Sequence, residues 1–171
     1  IQNVSFHEID LHAGDKIPNL EKFDGLWVMG GSMNVWEEEE FPWLVEEKEA
    51  IRHAVEDLNM PFLGICLGHQ LLAEAMGGKA VNTGRYEVGL FEIEHTQAGL
   101  DHPLLSNLSA SEKWVNAHLV EVVETPKNAV VLATSDNCKN HIMQVGESAY
   151  SCQFHPEVCS HTLDGWMKIP G

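Results

Sequence analysis

The sequence predicts an α/β domain with a doubly wound, mostly parallel sheet flanked by helices. Three observations carry this expectation. Short apolar strands alternate with amphipathic helices through the first half, the order that parallel strands joined by crossover helices require. Glycines punctuate the strands of that half, at Gly30–Gly31 and at Gly64. The second half is a series of short β-rich segments separated by turn residues, and 171 residues suit one domain, 1–171, with a single sizeable core.

The elements follow in order. Residues 1–22 hold one short candidate, VSFHEIDL, an expected edge strand. A doubly wound domain usually opens with a strand–helix unit of its own, so the chain is expected to lack that unit and to be truncated at its N-terminus. FDGLWVMGG (23–31) reads as a buried strand, Leu26 to Met29, running into a glycine turn, with Asp24 and Gly25 before it. In the next helix Pro42 suits the first turn. Leu44, Ile51, Val55 and Leu58 recur on one face while Glu46, Glu47, Lys48, Glu49 and Arg52 lie mostly off it. Asn59 and Pro61 stop that helix. MPFLGI (60–65) is a short apolar strand. LGHQLLAEAMGG (67–78) is a helix that packs through Leu71, Leu72, Ala75 and Met76 and ends at Gly77–Gly78.

Beyond Gly78 the β-rich segments are EVGLFEIEHT (87–96), LVEVVET (119–125), NAVVLATS (128–135) and SAYSCQF (148–154). Turns are expected at Asn82–Gly84, Pro126–Asn128, Asp136–Asn137 and Gly146, which makes these segments hairpins and crossing strands of the same domain. The tail, SHTLDGWMKIPG, begins a helix near Thr162 and reads as cut short.

Composition excludes several classes. A net charge of −16, from 10 basic and 26 acidic residues, argues against a nucleic-acid partner. No apolar run approaches the roughly 20 residues of a membrane span, and Ile1–Asp10 carries no signal-peptide pattern. Cys66, Cys138, Cys152 and Cys159 are dispersed in a chain large enough for its own core, which fits a reduced, cytoplasmic protein. The acidic run Glu37–Glu40 reads as a solvated loop or helix start.

GICLG contains the pattern G-x-C-x-G around Cys66, at the junction of a strand and a helix. Such an elbow exposes a nucleophile; a buried structural cysteine is the other reading. A thiol at a helix N-terminus is expected to have a lowered pKa, and the N–H of Leu67 faces the same space. The base has to come from elsewhere in the chain. His155 in QFHPEV follows a β-rich segment, and Glu157 projects to the same side two residues on, where it can orient the imidazole. Cys152, His155, Cys159 and His161 also have a spacing that could hold zinc. Pro156 and Glu157 interrupt that set, so no metal is expected. His69 reads as a packing residue, and the five tryptophans as core or rim.

GICLGHQLLAEAMGG and YSCQFHPEV, in this order, resemble the class I glutamine amidotransferase family. The match extends to MGGSMNVWEEEEFPWL (29–44), GRYEVGLFEIE (84–94) and AVVLATSDN (129–137), nearly the whole chain, and its detail is most similar to free-standing, GMP-synthase-like domains. The resemblance implies a flavodoxin-like, three-layer fold. It implies Cys66 as nucleophile, His155 as general base and acid, and Glu157 as orienting carboxylate. Gly31 and Leu67 become oxyanion-hole donors, and Gln70 and His118 substrate contacts. It implies hydrolysis of the glutamine amide through a thioester with no metal or organic cofactor, and a synthetase or other acceptor enzyme that takes the ammonia. One segment departs from the family: NAHLVEVVETP (116–126) has Leu119 and Val120 where W-H-G-D carries Gly and Asp. That departure keeps open a stand-alone γ-glutamyl hydrolase or peptidase with the same triad; a degenerate binding or regulatory module is a third alternative, and the intact triad argues against it.

Overall fold

The computed structural model describes residues 4–159 and 161–162. Along them run β1 (Leu26–Val28), α1 (Trp43–Arg52), β2 (Phe62–Ile65), α2 (Leu67–Ala75), β3 (Lys79–His95), α3 (Gln97–Leu100), β4 (Ser111–Glu124), β5 (Ala129–Thr134), β6 (Ile142–Val145) and β7 (Ala149–Cys152). A π-helical turn, His53–Asp57, prolongs α1.

The seven strands form one sheet in the order β1-β2-β7-β6-β5-β3-β4. The α/β class is the expected one. Parallel pairing is confined to β1, β2 and β7, and the remaining four pairings are antiparallel. The short connections from β5 to β6 and from β6 to β7 explain the change, because parallel neighbours need a crossover of a dozen residues or more.

Sequence and structure differ at four places. VSFHEIDL is not an edge strand: residues 4–10 are irregular, and the Phe6 ring rests 5.3 Å from that of Trp27. β3 begins at Lys79, so the turn expected at Asn82–Gly84 is a bulge inside a strand. There the register jumps from Asn82↔Val120 to Glu87↔His118, and Gly84 takes φ 72°, which a glycine adopts without strain. β4 begins at Ser111 rather than Leu119, and β6 carries no expectation at all. The missed part of β4 contains buried Asn116 and His118, which break the apolar alternation, and the missed part of β3 is the stretch interrupted by the turn-like Asn82–Gly84. The tail helix expected from Thr162 lies, past that residue, outside the described residues.

α2 is the element on which the main core is built. Leu71, Leu72 and Ala73 are fully buried against Leu44 and Ile51 of α1 and against Val28, Phe62, Val120 and Met143 of the sheet. Each such leucine or isoleucine contributes about 1.5–3 kcal/mol. The opposite sheet face carries a second cluster of Ile65, Ile93, Leu132, Ile142, Cys152 and Phe154. α2 ends as expected at Gly77, with φ 84°. The N–H groups of Gly77 and Gly78 return to the carbonyls of Glu74 and Ala73, which closes the last turn.

The start of α2 is crowded. A Cβ on Gly68 would lie 2.2 Å from the carbonyl oxygen of Val28, and a Cβ on Gly64 2.5 Å from that of Gly68. Only hydrogen fits at these contacts. His69, one residue on, is fully buried with Nδ1 2.8 Å from Ser151 Oγ, the packing role expected of it.

Two outcomes follow for stability. Gly68→Ala forces α2 off β1 and is expected to cost at least about 3 kcal/mol in urea unfolding; an unchanged midpoint would show that the contact yields freely. Burial, with help from neighbouring His141, pushes His69 down to about 3. The folded chain keeps it neutral while the unfolded chain protonates it near 6.5, so its contribution to stability falls as pH drops below about 6.5. His69→Gln should therefore lose about 2 kcal/mol less than the parent between pH 7 and pH 5. Equal losses would contradict the buried, neutral imidazole.

Candidate active site

Each parallel strand delivers part of one site at its carboxyl end. Gly30 and Gly31 follow β1, Cys66 follows β2, and His155 follows β7. In open α/β sheets this edge is where ligands bind, because the loops leaving adjacent parallel strands converge there.

Cys66 caps the N-terminus of α2 with φ 52° and ψ −101°. Among the described residues only Asn59 shares a positive φ without being glycine. A bulky residue pays about 1–3 kcal/mol for such a conformation. The strand-to-helix reversal demands it, and the backbone is held there by Cys66 N–H to Cys152 O at 2.8 Å and by Cys66 O accepting from His69 and Gln70. The elbow read from G-x-C-x-G is present, and Gly64 and Gly68 are the residues that let the chain turn so tightly.

His155 is buried, and its Nδ1 lies 2.7 Å from Glu157 Oε1. Its backbone N–H donates to Val115 O at 2.8 Å, and Phe154 stacks on Trp114 with ring centroids 4.9 Å apart. β4 thus fixes the segment that carries the imidazole. With Nδ1 on the carboxylate, Nε2 is the ring nitrogen directed away from Glu157. Gly30 links this group to Cys66. A Cβ built there would lie 3.2 Å from His155 Cε1 and 3.5 Å from Cys66 Cβ. His155 and Cys66 therefore flank one point on the β1 loop, and glycine keeps it clear.

The other expected residues divide. At Gly31 a Cβ would meet Leu67 Cδ2 at 2.8 Å, so the Leu67 side chain packs against the glycine. Gln70 is buried, with Nε2 donating to Val120 O at 3.0 Å and to Gln153 Oε1 at 3.2 Å. His118 is buried with Nε2 3.1 Å from Glu87 Oε2, off the line of a hydrogen bond. Burial pushes His118 toward its neutral form, against the pull of Glu87. The zinc-like set does not converge. Cys152 is buried and donates to Phe154 O, whereas Cys159 is exposed beside Thr162. Among the described residues no group of three His, Cys, Asp or Glu is arranged to hold a metal ion, and no helix is long and apolar enough to cross a membrane.

Two residues escape sequence reasoning. Gly30 reads there only as part of a turn. Gln153 places Nε2 3.7 Å from Cys66 Sγ. Its one sequence signal is its position two residues before His155 in QFHPEV.

The electrostatics reverse one expectation. Burial pushes the Cys66 thiol up to about 12, and the Glu157 carboxylate adds to this, while the Leu67 N–H and the Gln153 amide pull the other way. The helix N-terminus does not yield a preformed thiolate here, because the sulfur is withdrawn from water. A neighbouring base has to take the proton.

The family profile for class I glutamine amidotransferases matches residues 2–167. The glutamine amidotransferase-like protein YfeJ of Salmonella typhimurium is 33% identical over 165 residues, covering 92% of this chain and 67% of YfeJ. A subunit of the glutamine-hydrolyzing GMP synthase of Sulfolobus acidocaldarius is 34% identical over 166 residues, covering 96% of this chain and 83% of that one. A solved glutamine amidotransferase of Thermotoga maritima superposes with TM-score 0.87 at 29% identity, over 98% of this chain and 71% of that one.

Since Glu157 raises the Cys66 thiol, neutralising it lowers the thiol. Glu157→Gln is expected to speed iodoacetamide labelling of Cys66 about two- to fivefold at pH 8. The Cys66 peptide is followed by mass spectrometry, because exposed Cys159 reacts as well. Slower labelling would mean that the field of Glu157 does not govern the sulfur.

Proposed function

The chain belongs to the class I glutamine amidotransferase family, and from that premise we propose that it hydrolyses the side-chain amide of glutamine through a Cys66 thioester and releases ammonia to an acceptor enzyme. The observation that carries this reading is the strained Cys66 elbow facing the His155–Glu157 pair across Gly30.

The steps follow from the positions. The Cys66 thiol gives its proton to His155 Nε2 as Sγ attacks the amide carbon. A thiol this strongly buried needs that transfer in concert with attack. Negative charge develops on the carbonyl oxygen, where the N–H groups of Leu67 and Gly31 serve as donors. Glu157 holds the imidazole by Nδ1 and stabilises the imidazolium. His155 returns the proton to nitrogen, the C–N bond breaks and ammonia leaves. Water, deprotonated by the same nitrogen, attacks the thioester. The C–S bond breaks, glutamate leaves and the thiol is restored. In this reading His118, on β4, and Gln70, on α2, help to hold the substrate glutamine.

The Sulfolobus relative is by its name one subunit of a glutamine-hydrolyzing GMP synthase, and by analogy the acceptor of this chain is a separate synthetase polypeptide. Release of glutamate and ammonia from glutamine tests the reading. Cys66→Ala should lower the rate by at least about 10³-fold, and Glu157→Gln by about 10²-fold even though it exposes a more acidic thiol. Activity unchanged in Cys66→Ala sinks the proposal. Turnover of γ-glutamyl peptides well above that of glutamine would move the chain to the stand-alone hydrolase reading. A Cys66 inert to glutamine-like electrophiles would move it to a regulatory module.

A further inference from the structure

Gln153 is fully buried between β7 and His155, and its backbone N–H is pinned to His141 O at 2.9 Å. Its side chain has a carbonyl oxygen on one side and an amide nitrogen on the other, so its function depends on which way it faces. Three hydrogen bonds decide this. Val120 O, a strand carbonyl that only accepts, takes a bond from Gln70 Nε2 at 3.0 Å. The same Gln70 nitrogen donates to Gln153 Oε1 at 3.2 Å. Gln153 Nε2 is then turned to Cys66 Sγ at 3.7 Å. Rotating either amide by half a turn would set donor against donor or oxygen against oxygen in a buried site, at a cost of several hydrogen bonds.

We propose that Gln153 is a catalytic residue whose side-chain amide, oriented by Gln70 from the backbone of β4, donates to Sγ of Cys66 whenever that sulfur carries negative charge. This deepens the functional reading and rests on Cys66 as the nucleophile. Negative charge builds on the sulfur twice per turnover, in part as its proton passes to His155 during attack and again when the thioester C–S bond breaks. Gln153 transfers no proton and forms no covalent bond in either step. It supplies an N–H in a place from which water is excluded, where a donor to an anion counts most. Gln70 makes no contact with the sulfur in this arrangement. It is a positioning residue that acts through Gln153, whatever it also contributes to the substrate.

The test is the pH profile of iodoacetamide labelling at Cys66, read by mass spectrometry on the folded chain and its variants. Gln153→Met keeps the volume and removes the donor. It is expected to slow labelling about tenfold at pH 8, the effect of one hydrogen bond to an anion. Gln153→Glu keeps an acceptor for Gln70 but puts a carboxylate beside the sulfur, so labelling should slow further. It also carries the test should Gln153→Met fail to fold by circular dichroism. Gln70→Met frees Gln153 to turn and should slow labelling less than Gln153→Met, and the double variant should be no slower than Gln153→Met alone. A Gln153→Met profile that superimposes on the parent, or Gln153→Glu labelling as fast as the parent, overturns the assignment. Full additivity in the double variant overturns the relay through Gln70. Labelling needs no glutamine, so these failures concern Gln153, whereas a parent that releases no ammonia overturns the functional reading itself.

Discussion

The contact of α2 with the ends of β1 and β2 is the constraint from which the site follows. At Gly64 and Gly68 backbone meets backbone with no room for a side chain. That approach forces the chain to reverse within one residue, and the residue is Cys66. Its left-handed φ costs a little, and the burial of Leu71, Leu72, Leu44 and Ile51 behind it more than offsets the cost. The same packing fixes where the helix starts and hence where Sγ points. The glycine loop after β1 and the segment after β7 complete the site, because their strands are held in parallel register with β2.

Holding Cys66 so firmly also dries its sulfur. A sulfur almost removed from water resists ionisation, and the partial charge at the helix N-terminus does not overcome this. Reactivity therefore depends on groups aimed at the sulfur and on a base beside it. The imidazole is fixed by a carboxylate at one nitrogen and by β4 through its backbone and the Trp114–Phe154 stack. Around it lies an unusually polar interior of Glu87, Asn116, His118, His141 and Gln153. Glu87, Asn116 and His118 hold buried positions of β3 and β4 that would otherwise carry apolar side chains, and His141 and Gln153 are buried just outside β6 and β7.

That interior marks the limit of what could be read from the chain alone. Strands and helices with regular apolar spacing, β1, α1, β2 and α2, were legible to within a few residues. β3 and β4 were recognised only in part, since Asn82–Gly84 reads as a turn and Asn116 and His118 sit where alternation leads one to expect solvent. β6 is four residues, Ile142–Val145, too short to show a period. VSFHEIDL has a strand-like composition, yet residues 4–10 are irregular and touch β1 through Phe6 and Trp27 rather than by ladder pairing.

By itself the sequence determined the α/β class, the elbow at Cys66 and the candidate partners His155 and Glu157. Local rules suffice for these: glycines two residues either side of a cysteine, a proline ending a strand, and a carboxylate two residues beyond a histidine. Only the tertiary structure decided that the loops after three strands meet at Gly30, that the thiol is buried rather than activated by the helix, and that Gln70 faces Gln153 instead of standing alone. These depend on distances between residues far apart in the chain. The orientation of an amide or the dryness of a sulfur is set by the neighbours that packing supplies, and no spacing along one strand or helix encodes them.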